Sequence, residues 1–168
     1  MLALSPAYDV AQWETFFLGM VGATAALTGL LFVAIASNVE RLLESRGLTD
    51  RAAETLAALL FLLAISALAL APQPNWVLGI EVAATAIALQ VVMVFVQLRG
   101  LREYPDVPVH WYVSRIAPTT VATVPAFVAG VSLIAGTGGG FYWLAAATML
   151  GIAGVAYGAW VLMIEILR

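Results

Sequence analysis

All seven basic residues of the chain are arginines, and they fall in three places: between residues 41 and 51, between residues 99 and 115, and at Arg168. The stretches that separate these places are almost wholly apolar and long enough to cross a bilayer. Arginine and lysine mark the cytoplasmic side of membrane proteins. The distribution therefore constrains the class of protein, the number of spans and the orientation together, and it indicates an all-α integral membrane protein.

Five apolar runs of 20 to 25 residues predict five transmembrane helices. A hydrocarbon core about 30 Å thick needs about 20 helical residues, and a helix satisfies its own backbone hydrogen bonds in lipid. Strands of a membrane β-barrel would alternate in polarity, which these runs do not. We predict a single transmembrane helical domain over residues 1–168, with spans at about 13–37, 52–71, 76–98, 116–135 and 141–164.

Five spans place every basic segment on one side of the membrane. The N-terminus is then outside and the C-terminus is cytoplasmic. The short connections at 72–75 and 136–140, which carry no basic residue, should lie outside. Four spans would leave the arginines on both sides, so the charge distribution favours five.

Composition excludes several classes of function. Only 10% of the residues are charged, against about 25% in soluble domains. The absence of cysteine excludes disulfides and thiolate metal sites, and a net charge of −3 argues against nucleic acid as a partner. No catalytic set, acidic metal cluster or nucleotide motif is evident. We therefore expect no enzymatic activity, no cofactor and no bound metal.

Small residues follow two of the predicted spans at helical spacing. In lipid, such residues let helices approach closely. They fit packing inside one bundle, which is the more common setting, or an interface between subunits, and the spacing alone leaves both open. The residues are Gly19, Gly22, Ala26 and Gly29 in the first span, and Gly151, Gly154 and Gly158 in the fifth.

The fourth span differs because it contains Pro125 in its interior. An interior proline removes a backbone hydrogen bond and predicts a kink. Thr119 and Thr123 share a face near it, and their hydroxyls can satisfy freed carbonyls. The span is either a bent packing helix or a moving element that lines a pathway.

Glu81 is the most informative single residue, because it lies five positions after Trp76 and about 8 Å below the outer interface. Thr85 shares its face, and the outer side carries no basic residue to pair with it. Three states stay open: a protonated acid, a site for a proton or cation in transit, or a carboxylate that reaches headgroup water or another protein. Glu14 lies in the first turn of its span, where a carboxylate favours the helix dipole. It would pair with Glu81 only if the two spans touch.

The stretches WETFFLGMVGATAALTGLLFVAIASNVERLL and LTDRAAETLAALL, at residues 13–43 and 48–60, resemble the front of a family of small uncharacterised bacterial multi-span membrane proteins. Some of these carry the label of modulator of a membrane AAA protease. The label normally refers to seven-span Bax-inhibitor-like proteins, whereas five spans are counted here, so that function is not carried over. The resemblance covers roughly the first 70 residues and implies a location in the bacterial inner membrane. It supplies no catalytic residues.

These features favour a non-enzymatic inner-membrane protein that acts through helix–helix association. Its partners would be the lipid bilayer and either further copies of itself, as a homo-oligomer, or another membrane protein, as a small subunit of a larger complex. The alternative is a small oligomeric proton or cation channel or carrier that uses Glu81.

Overall fold

A computed structural model describes residues 5–44, 46–103 and 109–167. The described chain forms one short 3-10 helix and six α-helices, with no strand among these residues. The prediction of an all-α protein is confirmed. The 3-10 helix is Val10–Gln12, and the α-helices are α1 Glu14–Ser37, α2 Val39–Glu44, α3 Arg46–Leu68, α4 Asn75–Glu103, α5 Val109–Ala135 and α6 Gly140–Leu167.

Four helices contain stretches that are long and apolar enough to cross a membrane: Glu14–Ser37, Gly47–Leu68, Asn75–Leu98 and Gly140–Ile164. They correspond to the first, second, third and fifth predicted spans. In α5 the apolar stretch found within the described residues, Thr119–Ala135, is shorter. The sequence analysis placed the start of the second span at residue 52, but α3 begins at Arg46. Helix ends follow backbone hydrogen bonding, which continues past the point where the apolar run stops.

The four helices α3 to α6 pack in a ring in which each contacts the next and α6 returns to α3. Helix α1 lies outside this ring, mainly against α3. Its apolar stretch is 17% buried, compared with 39% for that of α3. The buried core therefore belongs mostly to the ring, and α1 contributes one face to it.

The two ends of the bundle differ in the segments that they contain. The hairpin end holds the connections at residues 69–74 and 136–139 together with the N-terminal segment 5–13, and the arginine end lies opposite. At the hairpin end the Phe141 N–H donates to the Ala7 carbonyl at 3.0 Å, and the Asn75 side chain donates to the Tyr8 carbonyl at 2.8 Å. These bonds tie the N-terminal segment to the starts of α4 and α6.

The connection between α5 and α6 depends on glycine. Gly136, Gly138 and Gly139 have φ values of 66°, 88° and 89°, in the left-handed region where a side chain is strained. The Gly139 N–H donates to the Tyr8 hydroxyl at 2.9 Å. The Ser132 hydroxyl donates to the Thr137 carbonyl, so its one proton is used and Tyr8 donates to Ser132 at 3.1 Å. Hydrogen bonds from Ser132 and to Tyr8 thus hold the turn in place.

Candidate functional site

Glu81 has a hydrogen-bond partner that the sequence analysis did not foresee. It lies half-buried in α4 near the hairpin end. The Gln73 amide donates to its Oε2 at 2.8 Å and also lies 3.2 Å from the Leu68 carbonyl at the end of α3. Gln73 therefore links the end of α3 to the only carboxylate of α4's apolar stretch. The signal in the sequence was weak, because an amide eight residues away in a loop has no fixed relation to a helical side chain.

Thr85 and Glu14 do not join Glu81 in a site. The Thr85 hydroxyl lies within hydrogen-bond distance of two backbone carbonyls of its own helix, those of Glu81 and Val82, at 2.8 and 3.0 Å. Glu14 is exposed in the first turn of α1, and α1 packs chiefly against α3 rather than α4. Among the residues that the structure describes, no group of three or more His, Cys, Asp and Glu could hold a metal ion.

The middle of the ring is filled by apolar side chains. Leu62 and Ile65 of α3, Val82 of α4, Ala126 of α5 and Leu144 of α6 are at most 1% exposed. They belong to one core cluster. A polar path through a single chain would have to displace this layer.

The small residues of α1 face away from the bundle. Gly19, Gly22, Ala26 and Gly29 are all exposed, and a Cβ placed on any of the three glycines would have no atom within 4 Å. The opposite face of the helix holds the buried residues Phe17, Met20, Thr24 and Leu31. In the part of the chain that the structure describes, the glycines of α1 therefore do not pack against another helix, because α3 covers the other face.

The small residues of α6 lie inside the ring. A Cβ on Gly151 would collide with the Leu62 side chain and lie 3.2 Å from Ala122 Cβ, and one on Gly158 would lie 3.5 Å from Thr55 Oγ1. Gly151, Gly154 and Gly158 also line a narrow cavity of about 50 Å³ in the arginine half of the ring. The polar residues around this cavity are Arg51, Glu54, Thr55, Thr119 and Tyr157.

A second close helix contact, between α4 and α5, was missed by sequence analysis. A Cβ on Gly79 would lie 2.6 Å from the Gly130 carbonyl oxygen, and a Cβ on Gly130 would lie 2.6 Å from the Gly79 carbonyl oxygen. The two helices therefore touch through their backbones near the hairpin end. Each helix has one glycine at the contact, so no repeated small-residue pattern marked it.

Helix α5 runs without a break through Pro125. Two residues earlier, the Thr123 hydroxyl lies 2.7 Å from Gln90 Oε1 on α4 and 3.0 Å from the Thr119 carbonyl. Gln90 and Thr123 thus form a polar contact between α4 and α5 within the apolar part of the bundle. Nothing in the spacing of the two residues, which lie 33 positions apart, predicted it.

Gln97 lies two turns beyond Gln90 toward the arginine end and is 5% exposed. Its Nε2 has no hydrogen-bond partner in the described part of the chain. A buried amide without a partner costs free energy, so this position is an unusual one for glutamine.

No protein-family model matches the chain. No curated protein matches it, and no solved structure matches it.

Proposed function

We propose that the protein is a five-span bacterial inner-membrane protein that acts without catalysis, through helix–helix association. The contact surface is the exposed small-residue face of α1, formed by Gly19, Gly22, Ala26 and Gly29. The observation that carries the proposal is that these residues lie opposite the face that α1 buries on α3, with open space above the glycines.

The spacing of the face supports a helix pair. Its members are separated by three, four and three residues, which is the repeat that keeps one side of a helix against a partner. Small residues at such positions bring backbones close enough for van der Waals contact, the main attraction between helices in lipid. The partner is a second copy of the chain or a helix of another membrane protein.

The proposed topology has the hairpin end outside and the arginine end in the cytoplasm. It is supported by the sequence positions of all seven arginines and by the position of α5 in the bundle. Helix α5 contacts α4 and α6, its neighbours in the ring, and both contain stretches long enough to span. A helix packed along two spanning helices shares their depth, which supports α5 as the fifth span.

The test is the mass of the native assembly. Protein extracted in mild detergent is weighed by native mass spectrometry for the wild type, for Gly22→Leu and for Ala84→Leu. Ala84 is an exposed alanine of α4, so Ala84→Leu adds bulk to a different lipid-facing surface and serves as the matched control. We expect an oligomer or a copurifying partner in the wild type and in Ala84→Leu, and its loss in Gly22→Leu. A strict monomer without any partner in the wild type contradicts the proposal.

A further inference from the structure

Helices α1 and α6 are held together at the hairpin end by aromatic side chains. Trp13 stacks on Phe141 with ring centroids 6.3 Å apart, and Phe17 lies 6.0 Å from the same ring. Tyr142 meets Trp13 edge-on at 5.0 Å. Nearer the arginine end, a groove runs between the same two helices.

The groove has an apolar interior and a polar mouth. It has a volume of about 360 Å³ and is lined by apolar side chains and by Asn38. Along α1 it extends from Leu27 to Asn38, a rise of about 16 Å at 1.5 Å per residue. Leu59 of the intervening helix α3 also lines it. Asn38 lies where α1 ends and α2 begins.

We propose that this groove holds one acyl chain of a phospholipid from the leaflet at the arginine end. The volume of the groove favours an acyl chain over a helix as its occupant. A helix with side chains is about 10–12 Å wide, so a 16 Å length of it occupies roughly 1,500 Å³ and would lie mostly outside a groove of this volume. A methylene group is close in size to a water molecule, whose share of liquid volume is about 30 Å³, so the groove takes about twelve methylenes.

The polarity of the groove lining determines from which end the acyl chain enters. Asn38 is the polar residue of the lining and lies at the end of the groove nearer the arginine end, so the headgroup lies there. Arg41 follows one turn later in α2 and is exposed. Its guanidinium carries five N–H donors, and phosphate oxygens are strong acceptors for such donors. The phosphate of the lipid therefore lies beside Arg41.

The lipid site is separate from the association face of α1. The groove is lined on α1 by Leu27, Leu30, Leu31, Ala34 and Asn38, and none of these belongs to the small-residue face. The inference thus goes beyond the proposed function, and either can fail without the other.

The test uses two alanines of α1 that are both exposed. Ala34 lines the groove, whereas Ala36, two residues on, is not among the groove residues. The wild type, Ala34→Phe and Ala36→Phe are delipidated, exposed to phosphatidylglycerol in mild detergent, and examined by native mass spectrometry. We expect one tightly retained lipid on the wild type and on Ala36→Phe, and loss of that lipid from Ala34→Phe. Ala159→Phe, which fills the groove from α6, should lose it as well.

Melting curves in the same detergent establish that each variant is folded. Diacylglycerol with the same acyl chains supplies the test of the headgroup: the wild type should retain phosphatidylglycerol better, and Arg41→Gln should remove the difference. Equal retention by Ala34→Phe and Ala36→Phe, or no retained lipid on the wild type, overturns the proposal. Loss of oligomers from Ala34→Phe with its lipid intact also overturns it, because the groove would then hold a partner helix.

Discussion

At the scale of single residues, the buried polar side chains that the structure describes have hydrogen-bond partners, with the amide of Gln97 as the exception. Thr24, Thr28 and Ser66 each donate to a carbonyl one turn earlier in their own helix. Such bonds satisfy a hydroxyl in lipid without any partner from another helix. The side chains that bond to a different element, Gln73 to Glu81 and Thr123 to Gln90, are therefore the informative ones.

Glu81 is the first test at this scale. In Glu81→Gln the new amide oxygen can still accept from Gln73, but a neutral acceptor forms a weaker bond than a carboxylate. We expect a loss of at most about 1 kcal/mol in the free energy of unfolding, and Gln73→Ala should cost more because it removes the donor altogether. Thermal or chemical denaturation in detergent measures both.

The same variant tests the alternative function. An oligomeric proton or cation channel that uses Glu81 should lose liposome flux in Glu81→Gln, and any stabilisation by added cations should disappear with it. Because the ring core is closed in one chain, such a pathway would have to run between copies. Flux from the wild type no greater than from empty liposomes rules out this alternative.

Gln97 is the buried residue whose amide has no partner among the described residues. Its replacement and that of Gln90 form a matched pair of substitutions. Replacing Gln97 by leucine removes an unpaired buried amide while keeping most of the volume. We expect stability to stay the same or to rise by about 1 kcal/mol. Gln90→Leu breaks the contact with Thr123 and should lower stability by about 1 kcal/mol. Comparable losses in both variants would show that the Gln97 amide has a partner after all.

At the scale of helices, α4 and α5 cross through a close contact between their backbones. At Gly79 and Gly130 the two helices lie so close together that no side chain fits between them. In contrast, Gly29 of α1 has open space. The same residue type therefore serves opposite roles on two helices, and only packing distinguishes them.

This difference gives a second matched pair. In Gly130→Ala the new Cβ would meet the Gly79 carbonyl and the Ala83 side chain, at 2.6 and 2.8 Å, so the helices must separate. Overpacking of this kind costs about 1–3 kcal/mol. Gly29→Ala adds the same methyl group without a clash and should leave monomer stability unchanged or slightly higher. Melting temperatures in one detergent compare them, and equal stability of the two variants would contradict the close contact.

At the scale of the whole molecule, the ends of the bundle differ in chemistry. The hairpin end is fixed by the N-terminal segment, through Tyr8 and Asn75. Arg41 and Arg51 lie in the helices at the opposite end. This separation is the basis of the proposed orientation.

The orientation can be measured directly because the chain contains no cysteine. A cysteine at Thr137, which is exposed at the hairpin end, should react with an impermeant thiol reagent in intact cells. One at Glu40, exposed in α2, should react only after the membrane is permeabilised. Labelling of Glu40→Cys alone in intact cells would invert the topology.

The sequence by itself determined the class of the fold. Runs of twenty or more apolar residues can bury their backbone in lipid only as helices, so an all-helical protein with membrane-spanning helices followed from length and composition. The positions of the apolar stretches were also predictable, to within several residues at their ends. The resemblance of the first 70 residues and the count of five spans stay predictions.

The tertiary structure decided which face of each helix is used. A helix that is apolar all round has no polar side to indicate its orientation, so the sequence could not tell that α1 buries Phe17 and Met20 and exposes its glycines. Contacts such as Gly79 with Gly130, Gln73 with Glu81 and Trp13 with Phe141 join different elements. They depend on how the helices cross, which is set by side-chain packing across the whole bundle and is not encoded in any local pattern.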